Sequence, residues 1–123
     1  MALHHELVIY KAAYDLLGMA IDVTQNFPRD FKRTVGETIR TECTELMTLI
    51  MRANIARDKV PHLEQLLERI QVIEVLLRVA KDKRWIDVKK YAAAIEVTTS
   101  VSKQGQGWKK QSEEANAKAA PAA

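Results

Sequence analysis

Residues 61–85, PHLEQLLERIQVIEVLLRVAKDKRW, constrain the chain more than any other stretch. Leu63, Leu66, Leu67, Ile70, Ile73, Leu76, Leu77 and Ala80 recur at the i, i+3, i+4, i+7 spacing that lays a continuous apolar stripe along an α-helix. Val72, Val75 and Val79 add a second apolar line beside it, and Glu64, Glu68, Arg69, Gln71, Glu74 and Arg78 take the remaining surface. A stripe that wide predicts burial on more than one side. Pro61 suits a first helical turn, where its missing N–H would be unpaired anyway. Lys81, Lys83 and Arg84 complement the negative end of the helix dipole. With Leu76 in this core stripe, Leu76→Ala is expected to cost about 2–5 kcal/mol.

The rest of the chain repeats the helical pattern. Leu7, Tyr10, Tyr14, Leu17, Ile21 and Thr24 predict a first helix from Leu3 to about Asn26, ended by Phe27-Pro28 because the residue before proline is pushed out of the helical region. A second helix has Asp30 or Thr34 as its N-cap and a stripe of Phe31, Val35, Ile39, Cys43, Leu46, Ile50, Ala53 and Ala56. Its threonines lower the intrinsic propensity, so packing must hold it. Gly36 marks either a close approach to a neighbouring helix or a local irregularity. Asp87 caps a fourth helix with Val88, Tyr91, Ala92, Ile95, Val97, Thr98 and Val101 on its apolar side, ended by Gly105 and Gly107. Trp108 is either an anchor folded back onto the bundle or the end of a slightly longer helix. No period-two segment argues for a strand. Four helices with short connections predict an all-α fold, an antiparallel up-down-up-down four-helix bundle over residues 1–110. Residues 111–123, QSEEANAKAAPAA, lack large apolar side chains and are expected to form a disordered tail.

At 123 residues one domain is expected, and the scarcity of glycine (4) and proline (3) favours helices throughout. No run of eighteen or more apolar residues could span a membrane, and the interrupted start MALHHELVIYK is not expected to act as a signal peptide. The single Cys43 excludes an intramolecular disulfide, fits the cytoplasm, and reads as a small buried apolar side chain. Chemistry is sparse. A di-metal bundle site needs Glu-x-x-His pairs, and none occurs. His4 and His5 are adjacent and so point apart, and His62 sits in a first turn. Gly105-Gln-Gly107 follows a helix instead of a strand, so it is not a phosphate cradle. Ser100, Ser102 and Ser112 lie in no nucleophile elbow, and Glu42 with Glu45 or Glu64 with Glu68 read as solvated helix faces. Neither an enzyme nor a cofactor is expected.

Positive charge is concentrated. The formal net charge is +3 and the pI about 9.1, but Arg78 to Lys90 alone holds six basic residues against two acids, a net of +4. Arg29, Lys32 and Arg33 form a second cluster around Asp30, and Lys103, Lys109 and Lys110 a third around Trp108. In an up-down-up-down bundle the first two clusters share one end and the third lies at the other. Cations placed this way can neutralise phosphates without reading base sequence; ordinary solubilising loop charges are the alternative. Trp85 and Trp108 either cap the bundle or stack on bases.

Residues 27–53, FPRDFKRTVGETIRTECTELMTLIMRA, and 72–110, VIEVLLRVAKDKRWIDVKKYAAAIEVTTSVSKQGQGWKK, resemble the accessory variability determinant family of diversity-generating retroelements. Its broader relatives are the four-helix-bundle proteins encoded within ribosomal RNA intervening sequences. The resemblance covers roughly residues 3 to 110. It rests on Phe27-Pro28 with the basic residues and Thr34-x-Gly36 that follow, Leu76-Leu77-Arg78 leading to Trp85, Tyr91, and Gly105-x-Gly107-Trp108. It implies a ring-like homo-oligomer, a pentamer, that binds the reverse transcriptase and nucleic acid, template-repeat RNA and its cDNA, in support of mutagenic retrohoming without catalysing it. The candidates it implies for RNA or polymerase contact are Arg29, Lys32, Arg33, Arg40, Arg52, Arg57, Arg78, Lys81, Lys83 and Arg84. Two other functions fit the same residues: a bundle tied to ribosomal RNA intervening sequences, and a protein-interaction module that binds no nucleic acid.

Overall fold

In the computed structural model, which describes residues 7–119, four long helices follow one another: α1 (Val8–Thr24), α2 (Glu37–Ile55), α3 (Val60–Asp82) and α4 (Val88–Ala119). A short helical turn, Arg29–Phe31, and a π-helical turn, Lys32–Gly36, lead into α2. Among the described residues there is no strand. Helices α2 and α4 each pack on both α1 and α3, so α1 and α3 stand diagonally across a four-helix bundle, as expected.

Local chemistry sets the helix ends. Asp87 caps α4 as predicted, its Oδ1 accepting the Lys90 N–H at 2.7 Å. Pro61 occupies the first turn of α3. At the C-terminal end of α2, Lys59 Nζ donates to the carbonyls of Ala53 (2.8 Å), Asn54 (3.1 Å) and Ala56 (3.0 Å). Those carbonyls have no partner within the helix, and the ammonium meets the negative pole of its dipole. Helix α3 ends in a Schellman turn, with Trp85 N–H bonded to Ala80 O at 2.8 Å and Arg84 N–H to Lys81 O at 2.9 Å. Arg84 holds the left-handed position of that turn at φ 63°.

The core is apolar and centres on α3. Leu66, Ile70, Ile73, Leu77 and Ala80 are buried in one cluster with Ile39, Cys43, Leu46, Leu49 and Ile50 from α2 and Ala94 and Val101 from α4, and Leu63 and Ala53 are buried as well. Cys43 is one of these small buried side chains; burial, then the nearby Glu42 carboxylate, pushes its thiol up to about 12, so it stays neutral at physiological pH. Polar links cross the helices at the margin of this core. Arg69 pairs with Glu42 at 3.4 Å, and Thr98 Oγ1 donates to Glu74 Oε2 at 2.9 Å, so Glu42 and Glu74 do not belong to freely solvated faces.

Several expectations are corrected by packing. On α1 Thr24 is buried as predicted, but the rest of the buried face is Ile9, Ala13, Leu16, Ala20 and Val23, one position removed from the predicted stripe; Tyr14 and Ile21 are exposed and Tyr10 and Leu17 only half-buried. Helix α1 carries two apolar faces, and the core takes the one with the alanines. Phe31 leaves the α2 stripe because the wide π turn admits one extra residue and breaks the line from Phe31 to Ile39. Val88 and Ala92 face solvent. Of the second apolar line on α3, Val72 is half-buried and Val75 and Val79 are exposed, while Leu67 and Leu76 sit at the core's edge.

The largest difference lies in α4, which passes both glycines and continues to Ala119, so residues 111–119 are helical and not a disordered tail. Gly105 is a point of close approach: a Cβ there would stand 2.9 Å from Leu66 Cδ2 and 3.2 Å from Leu67 Cδ2. Gly107 faces open space, and neither glycine takes positive φ, so neither caps the helix. Trp108 lies within α4, and beyond it Ser112 is buried and Asn116 Nδ2 donates to Asp58 Oδ1 at 2.9 Å. The predicted helix start at Leu3, His4 and His5, and residues 120–123 lie outside the described residues.

Two pairs of variants check this packing by denaturant unfolding. Gly105→Val should destabilise by about 1–3 kcal/mol through overpacking against Leu66 and Leu67, whereas Gly107→Ala should stabilise by about 0.5–1 kcal/mol. Leu77→Ala should cost about 2–5 kcal/mol, and Leu76→Ala, being half-exposed, clearly less.

Candidate nucleic-acid interface

Antiparallel helices bring the α1–α2 and α3–α4 connections to the same end of the bundle, and aromatic contacts tie them together. The Phe27 ring lies 5.2 Å from that of Trp85, and Phe31 stacks on Trp85 at 4.6 Å with an interplanar angle of 25°. Phe27 is buried, Trp85 half-buried and Phe31 exposed. The basic runs around Arg29–Arg33 and Lys81–Lys90 are thus neighbours in space, as the topology predicts.

The ten sequence candidates separate into groups. Arg29, Lys32, Arg33, Arg78, Lys83 and Arg84 are exposed at this end, and none pairs with a carboxylate among the described residues. Lys81 is half-buried, 3.6 Å from Asp82 and 4.7 Å above the Tyr91 ring centre, so its charge is partly engaged. Arg40 belongs to the fold: its Nη1 donates to Thr24 Oγ1 at 2.7 Å and its Nη2 to Lys32 O at 3.5 Å. The fully buried Thr24 hydroxyl in turn donates to Ala20 O at 2.7 Å. Arg40 therefore holds the π turn against α1, close to Gly36, where a Cβ would just touch the Arg40, Thr24 and Phe27 side chains. Arg52 and Arg57 lie at the other end, beside the α2–α3 connection, with Arg52 4.0 Å from Glu45. Lys109 and Lys110 fall on the same far half of α4.

Beside the π turn an open groove of about 570 Å³ runs between Arg33, Thr34, Val35, Glu37, Thr38, Thr41, Glu42 and Leu76. Its threonines are partly committed to the helix, Thr34 Oγ1 donating to Asp30 O at 3.4 Å and Thr38 Oγ1 to Thr34 O at 2.9 Å. Among the described residues no group of three or more His, Cys, Asp or Glu could hold a metal ion. No helix there is long and apolar enough to cross a membrane.

Two residues escaped the sequence reading. Phe31 looked like core, although its place between Pro28-Arg29 and Lys32-Arg33 is a signal for an end-of-bundle surface. Lys59 carries no motif that singles it out; its position three residues past Ala56 on a helix C-terminus is the available clue.

Fold and surface define an all-α, four-helix-bundle protein with a cationic end. The chain belongs to the bAvd-like family, whose model matches residues 7–112, in agreement with the resemblance to the accessory variability determinants. No curated protein and no solved structure matches it at a significant level.

The division among the arginines is measurable. Arg40→Ala should lower stability by about 1–3 kcal/mol, since it removes charge-assisted bonds to a buried hydroxyl and to the π turn. The exposed Arg33→Ala should change it by less than about 0.5 kcal/mol in the same denaturant titration.

Proposed function

We propose that the chain is a non-enzymatic accessory protein of a diversity-generating retroelement, binding the reverse transcriptase and template-repeat RNA or its cDNA through the basic end of the bundle. The observation that carries this reading is the gathering of Arg29, Lys32, Arg33, Arg78, Lys83 and Arg84 on one end of a bAvd-like chain, without carboxylate partners among the described residues. Desolvated contact with phosphates releases counterions, and this gives affinity without base specificity.

A second surface supports self-association. Tyr14, 62% exposed, and Ile21 project from α1, and Val75, 61% exposed, and Val79 from α3. Because α1 and α3 are diagonal, these apolar faces point away from each other. A contact between one protomer's α1 and its neighbour's α3 is heterologous, and such contacts close into a ring when the rotation permits. A pentamer is the ring that the family resemblance implies.

Salt titration of RNA binding tests the basic end. Reversing Arg78, Lys81 and Arg84 together to glutamate should leave helicity intact, weaken binding to a structured RNA, and flatten the plot of log affinity against log salt by roughly two units or more. Unaltered binding would remove this cluster from the interface, and RNA binding without capture of the reverse transcriptase would favour the ribosomal intervening-sequence alternative. For assembly, Tyr14→Glu or Val75→Glu should each reduce the native mass to that of smaller species while circular dichroism stays helical.

A further inference from the structure

The basic end contains an aromatic surface that charge neutralisation does not use. Phe31 stacks on Trp85, and Trp85 leans on the buried Phe27, so three rings form a column fixed at its inner end. The outer ring, Phe31, keeps 43% of its surface open to solvent. Arg29, Lys32 and Arg33 flank it in sequence, all three exposed.

Arg84, next to Trp85, supplies an independent observation. It occupies the left-handed position of the Schellman turn at φ 63°, where glycine is unstrained and a residue with a Cβ is not. The chain thus places a cation, at a conformational cost, beside the aromatic column. Strained backbone of this kind clusters at functional positions.

We propose that Phe31, backed by Trp85, is a stacking platform for an unpaired base of single-stranded nucleic acid, with Arg84 and Lys32 holding the flanking phosphates. The proposal rests on the nucleic-acid reading above and adds a preference that charge alone does not give. Every base has a π-face, so such a platform tolerates any sequence but requires a base that is free of its duplex. Backing by Trp85 lets the ring accept a base without first losing side-chain freedom.

The test uses a twelve-nucleotide oligouridylate and a blunt RNA duplex as probes, with tryptophan fluorescence excited selectively in a Trp108→Phe background so that Trp85 is the only tryptophan. Oligouridylate should change Trp85 emission on binding. Phe31→Ala should weaken oligouridylate binding about tenfold or more, with the salt slope unchanged because the phosphate contacts remain. Phe31→Tyr should restore it, and the duplex should bind Phe31→Ala and the parent alike. Arg84→Gly should raise the melting temperature and weaken oligouridylate binding. If Phe31→Ala binds oligouridylate as tightly as the parent, or weakens both probes equally, the platform is overturned while the basic-end reading stands. If the parent binds neither probe at low salt, both readings fall. A gain in stability from Arg84→Gly with no loss of affinity would overturn the part given to Arg84.

Discussion

Burial of the α3 stripe is the constraint on which the remainder of the molecule depends. Leu63, Leu66, Ile70, Ile73 and Leu77 are almost fully buried between α2 and α4, and each contributes roughly 1.5–3 kcal/mol by leaving water. Because that stripe must be covered from both sides, α2 and α4 take their places against it, and α1 closes the bundle diagonally across. The close approach at Gly105 belongs to the same demand: α4 comes near enough to α3 that a Cβ there would press on the Leu66 and Leu67 side chains. Fixing the antiparallel order in turn fixes which connections share an end.

That end gains its character from residues that the core does not need. The Phe27, Trp85 and Phe31 rings join two connections that are far apart in sequence, and Arg40 braces the π turn through the buried Thr24 hydroxyl. With the backbone held in this way, Arg29, Lys32, Arg33, Lys83 and Arg84 project from a rigid base. Cations that are already positioned lose less freedom on meeting phosphates than cations on a mobile tail. Arg40 and Arg33 lie seven residues apart and carry the same charge, yet one holds the fold together and the other faces solvent; only the partners tell them apart.

Much of the fold was legible in the sequence, and the failures share a cause. The α3 stripe, the Asp87 cap, the Phe27-Pro28 break and the meeting of the two basic runs follow from spacing and local chemistry that packing does not override. On α1, apolar residues occupy two faces, and periodicity alone favoured the larger side chains of Tyr14 and Ile21 over Ala13 and Ala20, which the core prefers. The α4 glycines read as an ending because glycine lowers helix propensity. Tertiary contact at Gly105, the burial of Ser112 and the bond from Asn116 to Asp58 outweigh that preference. The basic character of the candidate interface was visible, but the π turn that sets Phe31 at the surface leaves no periodic mark. The separation of Arg52 and Arg57 from the other candidates required the topology.

The central claim, that one end of this bundle meets nucleic acid, is tested most directly by lysine-acetylation footprinting of the intact protein with and without a structured RNA at near-physiological salt. Lys32, Lys83, Lys89 and Lys90 should be protected by the RNA, and Lys109 and Lys110, at the other end, should react as before. Equal reactivity throughout, or protection confined to Lys109 and Lys110, would contradict the account.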